Sequence, residues 1–223
     1  MNDYGTSFYD MINEGSLRSA RTVAPMVMDL LHPETILDLG CGEGTWLSVF
    51  ADHGCQIHGV DHDINPDRLQ IPAENFTNFD LSHGQHLPPV RWTYDLALSL
   101  EVAEHLPPER ADWLIHTLTA ASKAVLFSAA IPGQGGTGHV NEQWPRYWAD
   151  KFRALGYEVT GALRWRFWDL APDEIENWYA QNLLLCVHAD ELATRPELIP
   201  WFEGPKALPF GVVHPVLWEH TRR

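Results

Sequence analysis

The sequence predicts an α/β fold, a parallel sheet covered by helices on both faces. Three observations carry this reading. Short apolar runs rich in Ile, Leu and Val alternate with longer stretches of helical period along most of the chain. Near-continuous apolar runs of this kind are strands buried on both sides. The first run ends in a cluster of glycines, and the 223 residues, 45% hydrophobic and 11% aromatic, suffice for one domain with a real core. A disordered or fibrous chain is excluded.

Taken in order, residues 8–25 are polar before they become helical, and a first helix is expected over 17–31. ETILDL (34–39) is a β-branched and leucine run that stops at glycines, and QIHGVD (56–61) is the second strand. ENFTNFD (74–80) is a weaker third, YDLALSLE (94–101) a fourth and KAVLFSAA (123–130) a fifth, stopped by Pro132 and Gly133. Helices are expected between them at 44–54, 108–121 and 141–155. After Gly156, EVTGALRWRFW (158–168) and NLLLCVHA (182–189) read as two further strands, joined by a short helix over 172–181. Pro196, Pro200, Pro205, Pro209 and Pro215 mark an irregular tail that wraps the surface. The chain is expected to be a single domain, with a helical extension or lid at 1–33, a core at 34–189 and a proline-rich tail at 190–223.

Thirty Asp and Glu against 15 Lys and Arg leave a net charge of −15 at pH 7. Such a balance argues against nucleic acid or anionic membrane as partner, since both attract Lys and Arg. The partner expected is a small molecule, and a homodimer stays open. Cys41, Cys55 and Cys186 are odd in number and form no C-x-x-C pair, so neither a disulfide framework nor a cysteine zinc site is expected. The opening residues carry no basic and apolar leader, and no apolar run approaches the roughly 20 residues of a membrane span. A cytoplasmic protein is expected.

ILDLGCGEGTWLSVF (36–50) is the most informative stretch. Glycines between a buried strand and a helix let a ligand approach main-chain N–H groups, at the sheet edge where α/β folds place ligands. A dinucleotide fingerprint would be G-x-G-x-x-G/A, yet here the glycines fall as G-x-G-x-G and position 45 is threonine. Asp38, two positions before the first glycine, is poorly placed beside a pyrophosphate and well placed for an ammonium group. Asp61, closing the second strand, can accept hydrogen bonds from both ribose hydroxyls.

At these residues the sequence resembles the class I S-adenosylmethionine-dependent methyltransferases. Asp38 to Gly44 matches their first motif, Gly59-Val60-Asp61 the second, Asn78 to Leu81 the third and Tyr94 to Glu101 the fourth. Glu101-Val102-Ala103-Glu104-His105-Leu106 matches the E-x-x-E-H stretch common among small-molecule members. The resemblance covers roughly 34–188. It implies a doubly wound, Rossmann-like, mostly parallel sheet of seven strands with a reversed last hairpin, which suits the two late strands. It also implies S-adenosylmethionine as cofactor. Asp38, Gly40 and Gly42 would face its methionine part, Asp61 its ribose, and His62 one face of the adenine. Asp80 would accept from the adenine amine, Leu81 would offer backbone contact, and Leu100 would border the methionine.

Methyl transfer from a sulfonium is an in-line displacement in which positioning dominates, and a hydroxyl acceptor gains from a nearby histidine base. His105 follows the fourth strand. His139 lies in PGQGGTGHVNEQW (132–144), where Gly133, Gly135, Gly136 and Gly138 make a mobile or backbone-exposing loop. His139, Asn141, Glu142 and Trp144 form a polar cluster leading into a helix, and Glu104 is a weaker catalytic partner. Tyr9 and Arg18 of the extension would close over the cofactor, a guanidinium suiting its carboxylate. His83 and His86 with Asp80 lack a further carboxylate cluster at ligand spacing, so no metal is expected. The function expected is methyl transfer to a hydroxyl or amine of a sugar or secondary metabolite. Its alternatives are an NAD-dependent oxidoreductase and a non-catalytic S-adenosylmethionine-binding regulator.

Overall fold

A computed structural model of the chain describes residues 4–83 and 93–220, with side chains described within 13–83 and 93–219. The strands are β1 (Thr35–Leu39), β2 (Gln56–Asp61), β3 (Phe76–Asn78), β4 (Leu96–Leu100), β5 (Ala124–Ser128), β6 (Tyr157–Thr160) and β7 (Leu184–His188). They form one seven-stranded sheet in the order β3-β2-β1-β4-β5-β7-β6. The first five are parallel, whereas β7 runs antiparallel to both β5 and β6. The expected sheet, including its reversed last hairpin, is the sheet observed.

Alternate residues of each strand feed two cores. Ile36, Leu96, Leu98 and Leu126 face α1 (Tyr4–Leu31), α2 (Thr45–Asp52), α5 (Ala162–Phe167) and α6 (Asn177–Asn182), through Val23, Val27, Phe50, Phe167 and Tyr179. Leu37, Ala97, Val125 and Phe127 face α3 (Ala111–Ala121) and α4 (Pro145–Ala154), through Leu114, Leu118, Trp148 and Phe152. Pro145 sits in the first turn of α4, where its missing N–H costs nothing. The three cysteines are buried and free. No helix among the described residues is long and apolar enough to cross a membrane.

Three expectations are corrected. The first helix starts at Tyr4 rather than at 17, and from Asn13 onward tertiary contacts hold it, Asn13 donating to Glu43 and Ser16 lying 3.3 Å from the Tyr179 hydroxyl. The run 158–168 is a strand only to Thr160 and then turns at Gly161 into α5. Its aromatic residues suggested a strand, but Leu163 and Phe167, four apart, are both buried, which is helical spacing. The tail is only partly irregular, since it contains short helices over Ala189–Thr194, Ile199–Phe202 and Pro215–His220. Fully buried Arg164 clasps it, donating to the carbonyls of Phe210 at 2.8 Å and Leu208 at 3.2 Å.

Candidate functional site

β1 carries Asp38 into the sheet beside Gly59 of β2 and Leu98 of β4, so its carboxylate is almost wholly buried. Its Oδ1 has no hydrogen-bond partner in the protein. Burial, and then the negative charge of Asp61, pushes this carboxyl up to about 7. The chain then turns through Gly40, Gly42 and Gly44, all at positive φ, into α2. A methyl group on Gly42 would meet nothing within 4 Å, so the loop opens onto free space there. The Gly42 N–H donates to Asp61 Oδ2 at 2.7 Å, and the His62 N–H donates to Asp61 Oδ1 at 2.7 Å. The second carboxylate is thereby held over the loop, although burial still raises it.

Around this centre the remaining expected cofactor residues are placed unevenly. Leu100 is buried at the end of β4, and the carbonyl of buried Leu81 accepts from Arg110 Nε at 2.9 Å. His62 is half-exposed, with Nδ1 3.6 Å from Asp61 Oδ1. Asp80 accepts from the Ser82 hydroxyl and N–H through Oδ1 and lies 3.0 Å from His83 Nδ1 through Oδ2. The Ser82 hydroxyl above all holds its carboxyl well below the usual range. Arg18 is not brought to the glycine loop: its guanidinium pairs with Glu176 at 2.5 Å. Asn13 makes the loop contact from α1, gripping Glu43, which also pairs with Arg68. Tyr9 lies within α1, but its side chain is outside the described residues, as is all of His86.

The catalytic candidates, in contrast, converge. A single turn of 3₁₀ helix after β4 (Ala103–His105) carries Glu104 and His105, and the glycine loop after β5 carries His139. The Glu104 carbonyl accepts from the N–H groups of Val140 and Asn141 at 2.8 and 3.0 Å, which locks the two segments together. The His105 and His139 rings meet edge to face at 4.8 Å. His139 Nδ1 lies 2.9 Å from Glu142 Oε1, and that carboxylate accepts from the N–H groups of Gly133 at 2.7 Å and Gly135 at 2.9 Å. Against the burial that would raise it, these hydrogen bonds keep Glu142 below its ordinary value. Burial, followed by His139, lowers His105. Glu104 is fully buried, with no amide or cationic donor on its carboxylate oxygens and the Glu101 carboxyl beside it. Burial and the neighbouring Glu101 raise its carboxyl well above the ordinary range.

Glu101 was read only as part of a motif. It has φ of 56°, in the region that favours glycine, and its carboxylate accepts from Asn182 at 3.0 Å and Gln134 at 3.0 Å. Strained non-glycine residues of this kind collect at functional sites. The two amide residues sit some 33 and 81 positions away along the chain, so no local spacing announces them.

S-adenosylmethionine carries an ammonium group, a ribose and an adenine, and the residues fit it. The orphaned, buried Asp38 oxygen suits the ammonium, Asp61 suits the ribose, and the open face of Gly42 leaves room for main-chain contact. Comparison with known proteins agrees. A family model described as a methyltransferase domain matches residues 16–170. An uncharacterised methyltransferase of Mycobacterium tuberculosis is 35% identical over 100 residues, 40% of this chain and 39% of the relative. A counterpart in Mycobacterium bovis shows the same figures. The chain thus matches about two fifths of the length of these curated relatives. Among solved structures, DesVI of Streptomyces venezuelae superposes with a TM-score of 0.57 at 14% identity, over 85% of this chain and 100% of that one. The magnesium protoporphyrin IX methyltransferase of Synechocystis, solved with S-adenosylhomocysteine, gives 0.53 at 19% identity, over 85% and 89%. At these identities the structures speak for the fold, while the family model, spanning more than half of the chain, sets aside the nicotinamide alternative. The chain belongs to the methyltransferase-domain family, of the class I type that uses S-adenosylmethionine.

Proposed function

We propose that the protein transfers a methyl group from S-adenosylmethionine to a hydroxyl of a small molecule, a sugar or a secondary-metabolite scaffold. The observation that carries this reading is the convergence of His105 and His139, with Glu142 holding His139, on the strand ends that follow the cofactor loop. The cofactor, when bound, supplies an electrophilic methyl group on a sulfonium. Asp38 would take its ammonium, and Asp61 would take the ribose hydroxyls. Glu142 accepts the Nδ1 proton of His139, which leaves Nε2 of that ring with a free lone pair for the acceptor. Only glycine at 136 keeps that nitrogen reachable, because a methyl there would stand 2.3 Å from it. With that methyl group in place, His139 would take the hydroxyl proton as the carbon–oxygen bond formed and the carbon–sulfur electron pair stayed on sulfur. The net charge of −15 supports an acceptor other than nucleic acid.

The test is an assay with methyl-labelled cofactor against matched panels of hydroxylated and amino-bearing sugars and aromatic scaffolds. Label on hydroxyl acceptors is the expected result. Label on amines alone overturns the hydroxyl reading. Tight S-adenosylhomocysteine binding with no transfer to any panel member favours a non-catalytic binding protein.

A further inference from the structure

Four features of the acceptor side point beyond acid–base chemistry. Glu104 is buried to 0% exposure, and the one side chain its carboxyl group meets is another acid, Glu101, with no cationic or amide donor on either of its oxygens. A buried carboxylate left this way is costly unless a proton or a cation joins it. One ligand atom each from Glu104, His105 and His139 lie within 4.8 Å of one another. Two imidazoles and one carboxylate, with positions left over, are a donor set that borderline divalent cations accept. His139 is oriented by a carboxylate, Glu142, which is itself fixed by two backbone N–H groups. That is the outer support metal-ligating histidines ordinarily have. Finally, the backbone bonds from Val140 and Asn141 to the Glu104 carbonyl tie the two ligand-bearing segments into one rigid piece. Glu101 adds a further carboxylate on the buried side, held by Asn182 and Gln134.

We propose that Glu104, His105 and His139 bind a divalent cation of the Mn²⁺, Co²⁺ or Zn²⁺ kind, which takes the oxygen of the methyl acceptor. The inference rests on the hydroxyl reading above and changes how the hydroxyl is activated. The cation polarises the bound O–H, the proton passes to solvent, and the oxygen then attacks the methyl carbon while the carbon–sulfur electron pair stays on sulfur. The histidines keep their lone pairs on the cation instead of receiving that proton. Acceptors offering two adjacent oxygens, such as a vicinal diol, a catechol or a hydroxy-carbonyl compound, are the class that such a site selects. Glu142 acts as a positioning residue, through His139.

The site is tested on the chelator-stripped full chain by calorimetric titration with MnCl₂, CoCl₂ and ZnCl₂, and by the visible absorption of bound Co²⁺. One equivalent of cation is expected to bind, with a Co²⁺ spectrum showing nitrogen ligation. Glu104→Gln and His139→Ala should abolish binding, and Glu142→Gln should weaken it by about 10–100-fold. Circular dichroism and S-adenosylhomocysteine binding report whether each variant is folded. Should Glu104→Gln fail to fold, His139→Ala and Glu142→Gln carry the test. Absence of saturable binding in the wild type overturns the proposal, as does binding that persists unchanged in folded His139→Ala. Metal binding without transfer to any hydroxyl supports the site and sinks the hydroxyl reading. Transfer to hydroxyls that is indifferent to chelation, with no metal bound, does the reverse.

Discussion

Around the glycine loop, Asp38 and Asp61 stand on adjacent parallel strands, and the loop between them is shaped by the Gly40 and Cys41 N–H groups on the Val60 carbonyl and by the Gly42 N–H on the Asp61 carboxylate. On the side proposed for the acceptor, Glu104, His105 and His139 come from two segments after β4 and β5, joined through a backbone carbonyl and through side chains such as Glu142. The first arrangement is set by strand register, so it forms whenever the sheet forms. The second depends on a few polar contacts in a glycine-rich loop, so substitutions there should leave the sheet intact. The comparison implies that binding of cofactor and turnover of acceptor are separable by mutation.

The largest effect expected is on turnover. His139→Ala should lower kcat by about 10²–10⁴-fold while leaving S-adenosylhomocysteine affinity as in wild type. Wild-type turnover would remove His139 from the chemistry, and a parallel loss of affinity would mean that the two sides are not separable. Gly42→Val should do the opposite. A non-glycine residue forced to this positive φ costs about 1–3 kcal/mol and also fills the open face, so affinity should fall by roughly 100-fold in calorimetry. A variant that binds normally would show that the loop does not face the ligand.

Smaller effects sharpen the same division. Glu142→Gln, which loses the charge that orients His139, should reduce kcat by about tenfold, again with cofactor affinity intact. Asp38 should show itself through pH. Its carboxyl is raised from 3.8 to about 7 in the fold, so the stability it contributes is complete below the lower value and is lost as pH rises through the upper. An ammonium ligand prefers the ionised form, so wild-type affinity should weaken several-fold as pH falls through about 7. Both steps should be missing in Asp38→Asn, measured by thermal midpoint and by S-adenosylhomocysteine titration across pH. Identical profiles in the two proteins would show that Asp38 does not titrate in this range.

What could be read from the sequence follows the same division. The placement of Asp38 and Asp61 at neighbouring strand ends was legible because a strand end, a glycine and an acidic residue lie within a few positions of one another, and register does the rest. His139 and Glu142 were legible as a polar cluster, but their pairing required the turn that brings Gly133 and Gly135 onto the carboxylate. Glu101 was invisible as a strained residue, because no sequence pattern announces a left-handed glutamate held by distant amides. Arg18 was assigned by chemical suitability, and its pairing with Glu176, the residue that precedes α6, lies too far along the chain for any local spacing to announce. The segment 162–167 was misread because its aromatic residues favour strands locally, while burial of Leu163 and Phe167 against the sheet rewards a helix.

Arg164 has one more consequence. Its guanidinium has no carboxylate partner among the described contacts and is satisfied by the carbonyls of Gly161, Gln181, Leu208 and Phe210, while burial depresses it to about 10. A protease cut just before Leu208 would free those carbonyls and strand a charge in the interior. The tail thus works as a keystone for the antiparallel edge, and its removal should be felt as a lower thermal midpoint.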